Sequence, residues 1–182
     1  MTFLPQGLTI RVATPSDLSQ IAGIYAHHVR HGTASFEAEA PSLQEMTRRH
    51  AVLMEGGMPW LVLEQEGMVL GYSYAGPYRP RPAYRDTVEN SVYIRAGFEG
   101  RGHGRALLGA LIDACTALGL RQMVAVVGDS GNTPSIALHR SMGFRDVGVL
   151  HAVGFKHGRW LDCVLLQRSL GPGSSAPPVP RG

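Results

Sequence analysis

The chain has 182 residues, 44% of them hydrophobic and 17% charged, with a net charge of +3 from 17 Lys+Arg against 14 Asp+Glu. That is enough chain for one domain with a real core, the composition is globular and not disordered, and the charge is too small and too dispersed to argue for nucleic acid. Cys115 and Cys163 each lie in an apolar segment and read as reduced, buried fillers, because a disulfide framework or a zinc site needs more thiols at closer spacing.

The elements follow in chain order. "LTIRVA" alternates as a first strand. Thr14, Pro15 and Asp17 then mark a helix start, and Leu18, Ile21, Ala22, Tyr25 and Val29 share one face of that helix. Ser42 and Glu45 form the pattern of a capping box for "SLQEMTRRHAVLMEGG", which Gly56 and Gly57 close. "WLVLEQEGMVLGYSYAG" reads as two strands about a turn at Glu66-Gly67, and "TVENSVYIRA" is a strand that runs into the glycine loop "EGRGHGRALL". After it, Leu107, Leu108, Leu111, Ile112, Cys115 and Leu118 make a helical stripe ending at Gly119. "RQMVAVVG" has the unbroken apolar run of a strand buried on both faces, and "TPSIALHRSMGF" is a short helix with Pro134 near its start and Gly143 at its end. "VGVLHAVGF" and "WLDCVLLQRSL" are strands joined through "KHGR". The tail "GPGSSAPPVPRG", residues 171–182, reads as disordered, which leaves residues 1–170 as the domain. The order β-α-α-β-β-β-α-β-α-β-β predicts a mixed α/β single domain of about seven strands and four helices.

No apolar run reaches membrane-spanning length, and "MTFLPQGLTI" lacks the basic start and long apolar core of a signal peptide; the expectation is a cytoplasmic protein with no membrane or nucleic-acid partner. Gly100, Gly102 and Gly104 alternate, so the loop is neither the dinucleotide pattern G-x-G-x-x-G nor a P-loop ending in Gly-Lys-Ser/Thr. A strand entering a glycine turn that opens a helix still forms an anion site, because the first N–H groups of a helix are free and its dipole favours negative charge there. Arg101 and Arg105 add guanidinium donors suited to a pyrophosphate. Composition alone leaves a plain turn with solvated arginines as an equal alternative.

The downstream segment breaks that tie. Glu99-Gly100-Arg101-Gly102-His103-Gly104 is followed, some thirty residues on, by Asn132 and then Leu138-His139-Arg140-Ser141-Met142-Gly143-Phe144. These two motifs, in this order, resemble the pyrophosphate loop and the later helix of the GNAT superfamily of acetyl-CoA-dependent N-acetyltransferases. "YAGPYRPRPAYRDTVENSVYI", "TASFEAEAPS" and "GFKHGRWLD" narrow the resemblance to the phosphinothricin and methionine sulfoximine or sulfone acetyltransferase branch, over about residues 10–170. Two departures stand out: Glu99 replaces the usual Gln or Arg, and His139 replaces the superfamily's common Tyr.

The resemblance implies a GNAT fold and acetyl-CoA as the acetyl donor, with no metal. Gly100, Arg101, Gly102, His103, Gly104 and Arg105 would hold the pyrophosphate, Val92, Tyr93 and Ile94 would pair their backbone with the pantetheine arm, and Asn132 would bond that arm. Asn132 also fits a plain helix cap. An acidic residue in the middle of a β-branched strand makes Glu89 the candidate general base, since burial costs a carboxylate and raises its pKa toward a useful range. A solvated Glu89 paired with Arg85 or Arg95 is the plain alternative. His139 stands where the resemblance puts a proton donor to the CoA sulfur, and it equally fits a packing or backbone-bonding role. The other histidines show no metal-ligand spacing; His27 and His28, being adjacent, point to different sides of a helix.

Arg79, Arg81 and Arg85 suit a small substrate with a carboxylate and a phosphinate, sulfone or sulfoximine head, and Phe36 would wall its pocket. The resemblance therefore implies acetylation of the amino group of such an amino acid analogue, by a homodimer. The alternatives are acetylation of a peptide or protein amine and a non-catalytic acyl-CoA-binding module.

Overall fold

The computed structural model describes residues 7–178. The elements are β1 (Leu8–Val12), α1 (Leu18–His31), α2 (Leu43–Glu55), β2 (Trp60–Gln65), β3 (Met68–Pro77), β4 (Thr87–Ile94), α3 (His103–Ala117), β5 (Gln122–Gly128), α4 (Thr133–Ser141), β6 (Arg145–Lys156) and β7 (Arg159–Ser169). This is the expected order, with single 3₁₀ turns at Pro15–Asp17 and Pro82–Tyr84. The strands form one sheet, β1-β2-β3-β4-β5-β7-β6, in which β4 and β5 are the parallel neighbours and the other described pairs are antiparallel.

Alternation along the strands divides the core between the two faces of the sheet. Leu61, Leu63 and Leu70 meet Leu107, Leu108, Leu111 and Cys115 of α3 on one face. On the other, Trp60, Val62, Val69 and Tyr72 meet Leu18, Ile21, Tyr25 and Val29 of α1 and Met46 of α2. Both cysteines are free thiols and buried.

Three expectations change in detail. At Ser42 only one arm of the capping box forms: Oγ accepts from Glu45 N–H (3.2 Å), while the Glu45 carboxylate turns to Arg48 and Arg49 (2.8 Å each). Strand β5 is buried along one face only; Met123, Ala125 and Val127 enter the core, but Val126 on the other face is exposed, since no helix covers the sheet there. The tail is described to residue 178; residues 171–174 make turns, and Arg121 Nη2 donates to the Pro177 carbonyl (2.7 Å). Residues 179–182 lie outside the described residues.

The loop between α1 and α2 is tied to the far end of the sheet. Lys156 Nζ, buried, donates to the Ser35 carbonyl (2.7 Å), and Asp129 links Thr33 Oγ1 to Arg159. Phe36 is wedged between two glycines of β5 and β6. A Cβ at Gly154 would lie 2.7 Å from the Phe36 ring, and one at Gly128 would lie 2.9 Å from it and overlap the Thr33 carbonyl oxygen.

At the start of α1, the buried Asp17 carboxylate accepts from Thr14 N–H (2.7 Å) and from both Nη atoms of Arg11 (2.7 and 2.8 Å). These bonds hold its pKa well below the usual carboxylate range. A depressed folded-state pKa gives stability that is full above the unfolded value and fades as pH falls below it. Asp17→Asn therefore lowers unfolding free energy at pH 7 by about 2 kcal/mol, and its deficit against wild type shrinks as pH drops from about 4, read by denaturant titration. Gly154→Ala lowers Tm by roughly 3–8 °C through overpacking against Phe36, whereas Gly148→Ala, with open space at its Cβ, changes it by about 1 °C at most.

Candidate active site

The sheet opens where β4 and β5 part. Their register runs from Thr87↔Gln122 to Asn90↔Ala125; beyond it β4 remains paired with β3, through Gly71↔Ile94, and β5 remains paired with β7. One backbone edge of β4 is thereby left without a strand. Arg95 N–H donates to the Leu70 carbonyl on β3, so alternation turns the N–H and C=O of Tyr93 toward β3 and those of Val92 and Ile94 toward the opening. Tyr93 accordingly does not present its backbone to the opening as expected; its side chain packs in the core, at right angles to Tyr25. His28 meets this edge too, its Nε2 2.8 Å from the Ile94 carbonyl, a role that spacing along α1 gave no sign of.

Past β4 the chain turns through Gly100 (φ +73°) and Gly102 (φ +82°), left-handed conformations that glycine takes without strain. Gly102 is the N-cap of α3, and no side chain caps that helix. Its first-turn N–H groups are therefore open donors at the positive end of the dipole. Arg105 lines the same space and bonds Ser141 Oγ (3.0 Å). Arg101 turns away from it: its Nη2 donates to the Gly97 carbonyl (2.9 Å), and its guanidinium lies 4.9 Å from the Phe98 ring centre. The Glu99 carboxylate accepts from Gly97 N–H (2.7 Å), so its charge is bonded within its own turn.

A groove of about 620 Å³ joins these parts. Val92, Tyr93, Ile94, Gly100, Gly102, His103, Gly104, Arg105, Asn132 and His139 all line it, together with His28, Thr33 and Leu138. Asn132 Oδ1 caps α4 by accepting from Ser135 N–H (3.3 Å), and the side chain also lines the groove. His139 is buried, with its ring at right angles to Phe144. Burial pushes its pKa below the ordinary histidine value, against an opposing hydrogen bond to the Ser135 carbonyl.

Glu89 lies on the opposite face of the sheet from His139, in a second cleft of about 430 Å³. Tyr25, Ser35, Phe36, Tyr74, Ser91, Val126 and Cys163 share it, and Ala34 and Tyr93 line both spaces. The Glu89 carboxylate is half-buried and has no hydrogen bond or ion pair among the described residues. Neither Arg85 nor Arg95 pairs with it: Arg95 donates to Gln20 and the Val69 carbonyl, and Arg85 lies 3.5 Å from Asp86. Burial raises the Glu89 pKa, and the nearby charge of Arg79 opposes that rise. Arg79, Arg81 and Arg85 are exposed and are not among the residues that line this cleft. The 77–86 segment carries them outward, with Arg79 5.1 Å from the Tyr78 ring centre.

Ser91, Tyr74, Tyr25 and Asn90 were not anticipated. Ser91 and Asn90 flank Glu89 and Val92 in "TVENSVYI", so the strand's period of two held the only sequence signal for them.

The pattern of the acetyltransferase (GNAT) domain matches residues 10–165. The phosphinothricin N-acetyltransferase of Alcaligenes faecalis is 53% identical over 93% of this chain and 86% of its own. The L-methionine sulfoximine/L-methionine sulfone acetyltransferase of Pseudomonas aeruginosa is 42% identical over 93% and 98%. A crystal structure of a GNAT superfamily phosphinothricin acetyltransferase from Sinorhizobium meliloti in complex with AcCoA superimposes with a TM-score of 0.92, at 44% identity, over 96% of this chain and 94% of that one. The unpaired edge of β4 and the uncapped start of α3 fit the amide-bearing arm and the pyrophosphate of acetyl-CoA. With the domain pattern matched over residues 10–165, 53% identity to one relative and a TM-score of 0.92 to another, the chain belongs to the GNAT family and is an acetyl-CoA-dependent N-acetyltransferase.

Proposed function

We propose that this enzyme acetylates the amino group of a small amino acid analogue such as phosphinothricin, methionine sulfoximine or methionine sulfone. The carrying observation is the half-buried Glu89 carboxylate, free of any hydrogen bond or ion pair among the described residues, in a cleft that meets the cofactor groove at Ala34 and Tyr93. Those substrates belong to the relatives at 53% and 42% identity. A cleft of about 430 Å³ with Phe36 in its wall suits a compact amino acid better than a peptide.

Acetyl-CoA supplies the acetyl group already activated as a thioester. A substrate amine is mostly ammonium at neutral pH, so Glu89 takes its proton through one or more waters and frees the nitrogen lone pair. The backbone N–H of Val92 faces the opening and donates to the carbonyl oxygen as charge develops there. The new C–N bond forms as the C–S bond breaks, the sulfur leaves with the bonding pair, and the nitrogen's surplus proton passes to water. Arg79, whose charge already acts on Glu89, is the cation for the anionic end of the substrate.

The same reading includes a homodimer. Strand β6 is an edge of the sheet, and Val147, Val149, Leu150, Val153 and Phe155 expose apolar side chains along it, beside Trp160 of β7. An apolar edge of this kind calls for a partner. Leu150 and Val153 also line the Glu89 cleft, so the partner would complete its wall.

Glu89→Gln lowers kcat/KM by at least about 10²-fold while CoA affinity stays unchanged, measured by thiol release and calorimetry. Equal turnover in wild type and variant overturns the base assignment. In wild type the acidic limb of kcat/KM sits above the ordinary carboxylate range, because burial raises the pKa of Glu89 and only its ionised form is active. Turnover on the three analogues but not on a peptide amine or an ordinary amino acid supports the substrate class. Sedimentation gives a dimer for wild type and a monomer for Phe155→Asp/Trp160→Asp; a wild-type monomer rejects the assembly.

A further inference from the structure

Asn90 closes the angle at which β4 and β5 part, being the last residue of β4 in register with β5. Its side chain is 6% exposed and lies on the α4 side of the sheet, where Nδ2 is 2.9 Å from His139 Nε2. The other ring nitrogen, Nδ1, is 2.8 Å from the Ser135 carbonyl. A carbonyl only accepts, so the proton of the neutral ring sits on Nδ1. Nε2 is then an acceptor, and the Asn90 amide donates to it. This ordering also fixes the carboxamide: with Nδ2 turned to His139, Oδ1 occupies the other position. Oδ1 is buried and has no hydrogen-bond partner. A buried acceptor left unpaired is costly, and a ligand's N–H can recover that cost.

The space beside Asn90 indicates which N–H. Asn90, Val92, Val127, Asn132 and His139 line a narrow gap of about 50 Å³ at the inner end of the cofactor groove. The pyrophosphate-binding turn is at the outer end of β4, past Ile94. An arm entering from that turn and running back along the free edge of β4 reaches Asn90 last. We infer that Asn90 Oδ1 binds the thiol-end amide N–H of the pantetheine arm, and that His139 is a positioning residue which holds Asn90 in that orientation. In the neutral ring Nε2 carries no proton to give to sulfur. The lowered pKa of the buried ring keeps it in that form near neutrality.

The test separates positioning from proton donation and from simple loss of fold. The full chain is titrated calorimetrically with CoA and with 3′-phospho-ADP, which lacks the arm. Asn90→Leu and His139→Leu should each weaken CoA binding about tenfold, and the double variant should be no weaker than the worse single one. Affinity for 3′-phospho-ADP should be unchanged in all three. His139→Gln keeps an acceptor at the Nε2 position but cannot shuttle a proton, so its CoA affinity and turnover should stay within about threefold of wild type. The ¹⁵N NMR spectrum of CoA-bound wild type at pH 7 should show a protonated Nδ1 and a bare Nε2. Losses that multiply in the double variant, or that extend to 3′-phospho-ADP, overturn the inference. So does His139→Gln turnover as low as that of His139→Leu with CoA affinity intact, or a proton found on Nε2.

Discussion

Strands β4 and β5 are parallel neighbours for only four residues, and their separation beyond Asn90 and Ala125 governs the rest of the molecule. A strand edge inside a fold has N–H and C=O groups that water reaches poorly, and unpaired groups of this kind are costly. On the β4 side, His28 takes one of them, the Ile94 carbonyl, and the others face the groove. On the β5 side, β7 pairs the far edge through a full ladder from Gln122↔Ser169 to Gly128↔Cys163, and the edge that parts from β4 beyond Ala125 is likewise left without a strand. The result is a slot whose wall is a ready-made strand edge, matched to a ligand whose arm carries amides. The same divergence leads both strands into glycine-rich turns, one opening α3 and the other, through Asp129 and Gly131, opening α4. Two helix starts therefore converge on one groove.

Because side chains alternate across the sheet, the opening separates two kinds of chemistry. Even-numbered positions of β4 face α3 and α4, and there Asn90 and His139 pair in a dry, neutral environment. Odd-numbered positions face α1 and the loop after it, and there Glu89 sits in a cleft with tyrosines and Phe36. A carboxylate and an imidazole that stand far apart in sequence thus lie on opposite faces and do not form a dyad. The loop that walls the Glu89 side is held by contacts to β5, β6 and β7 through Phe36, Lys156 and the Thr33–Asp129–Arg159 link. The geometry of the Glu89 cleft therefore depends on the far edge of the sheet, where Val147, Val149, Leu150, Val153, Phe155 and Trp160 are exposed.

Much of this was legible in the chain. The capping signals at Thr14 and Ser42, the stripe on α3 and the glycine turns at 100–104 all act over a few residues, where local sterics and hydrogen bonding dominate. Phe36 and Glu89 line the second cleft, and Gly100, Gly102 and Gly104 line the groove. What spacing left open shares one cause. Arg101 looks like a phosphate ligand in sequence but folds back on Gly97, and the backbone of Tyr93 turns to β3. The arginines of 79–85 project from a segment whose direction two prolines and the start of β4 set together. Each depends on orientation, which spacing along the chain does not carry.

The sequence by itself determined the order and kind of the elements, the division of apolar residues between two faces, and the family whose cofactor the glycine turn suits. Those properties follow from period, capping and turn chemistry, which are local. The tertiary structure alone decided that Glu89 and His139 lie on opposite faces, that His28 and Asn90 border the opening between β4 and β5, and that Val126 of β5 is exposed. These depend on where strands cease to pair and on which tautomer a buried carbonyl imposes, and both are set by partners tens of residues away.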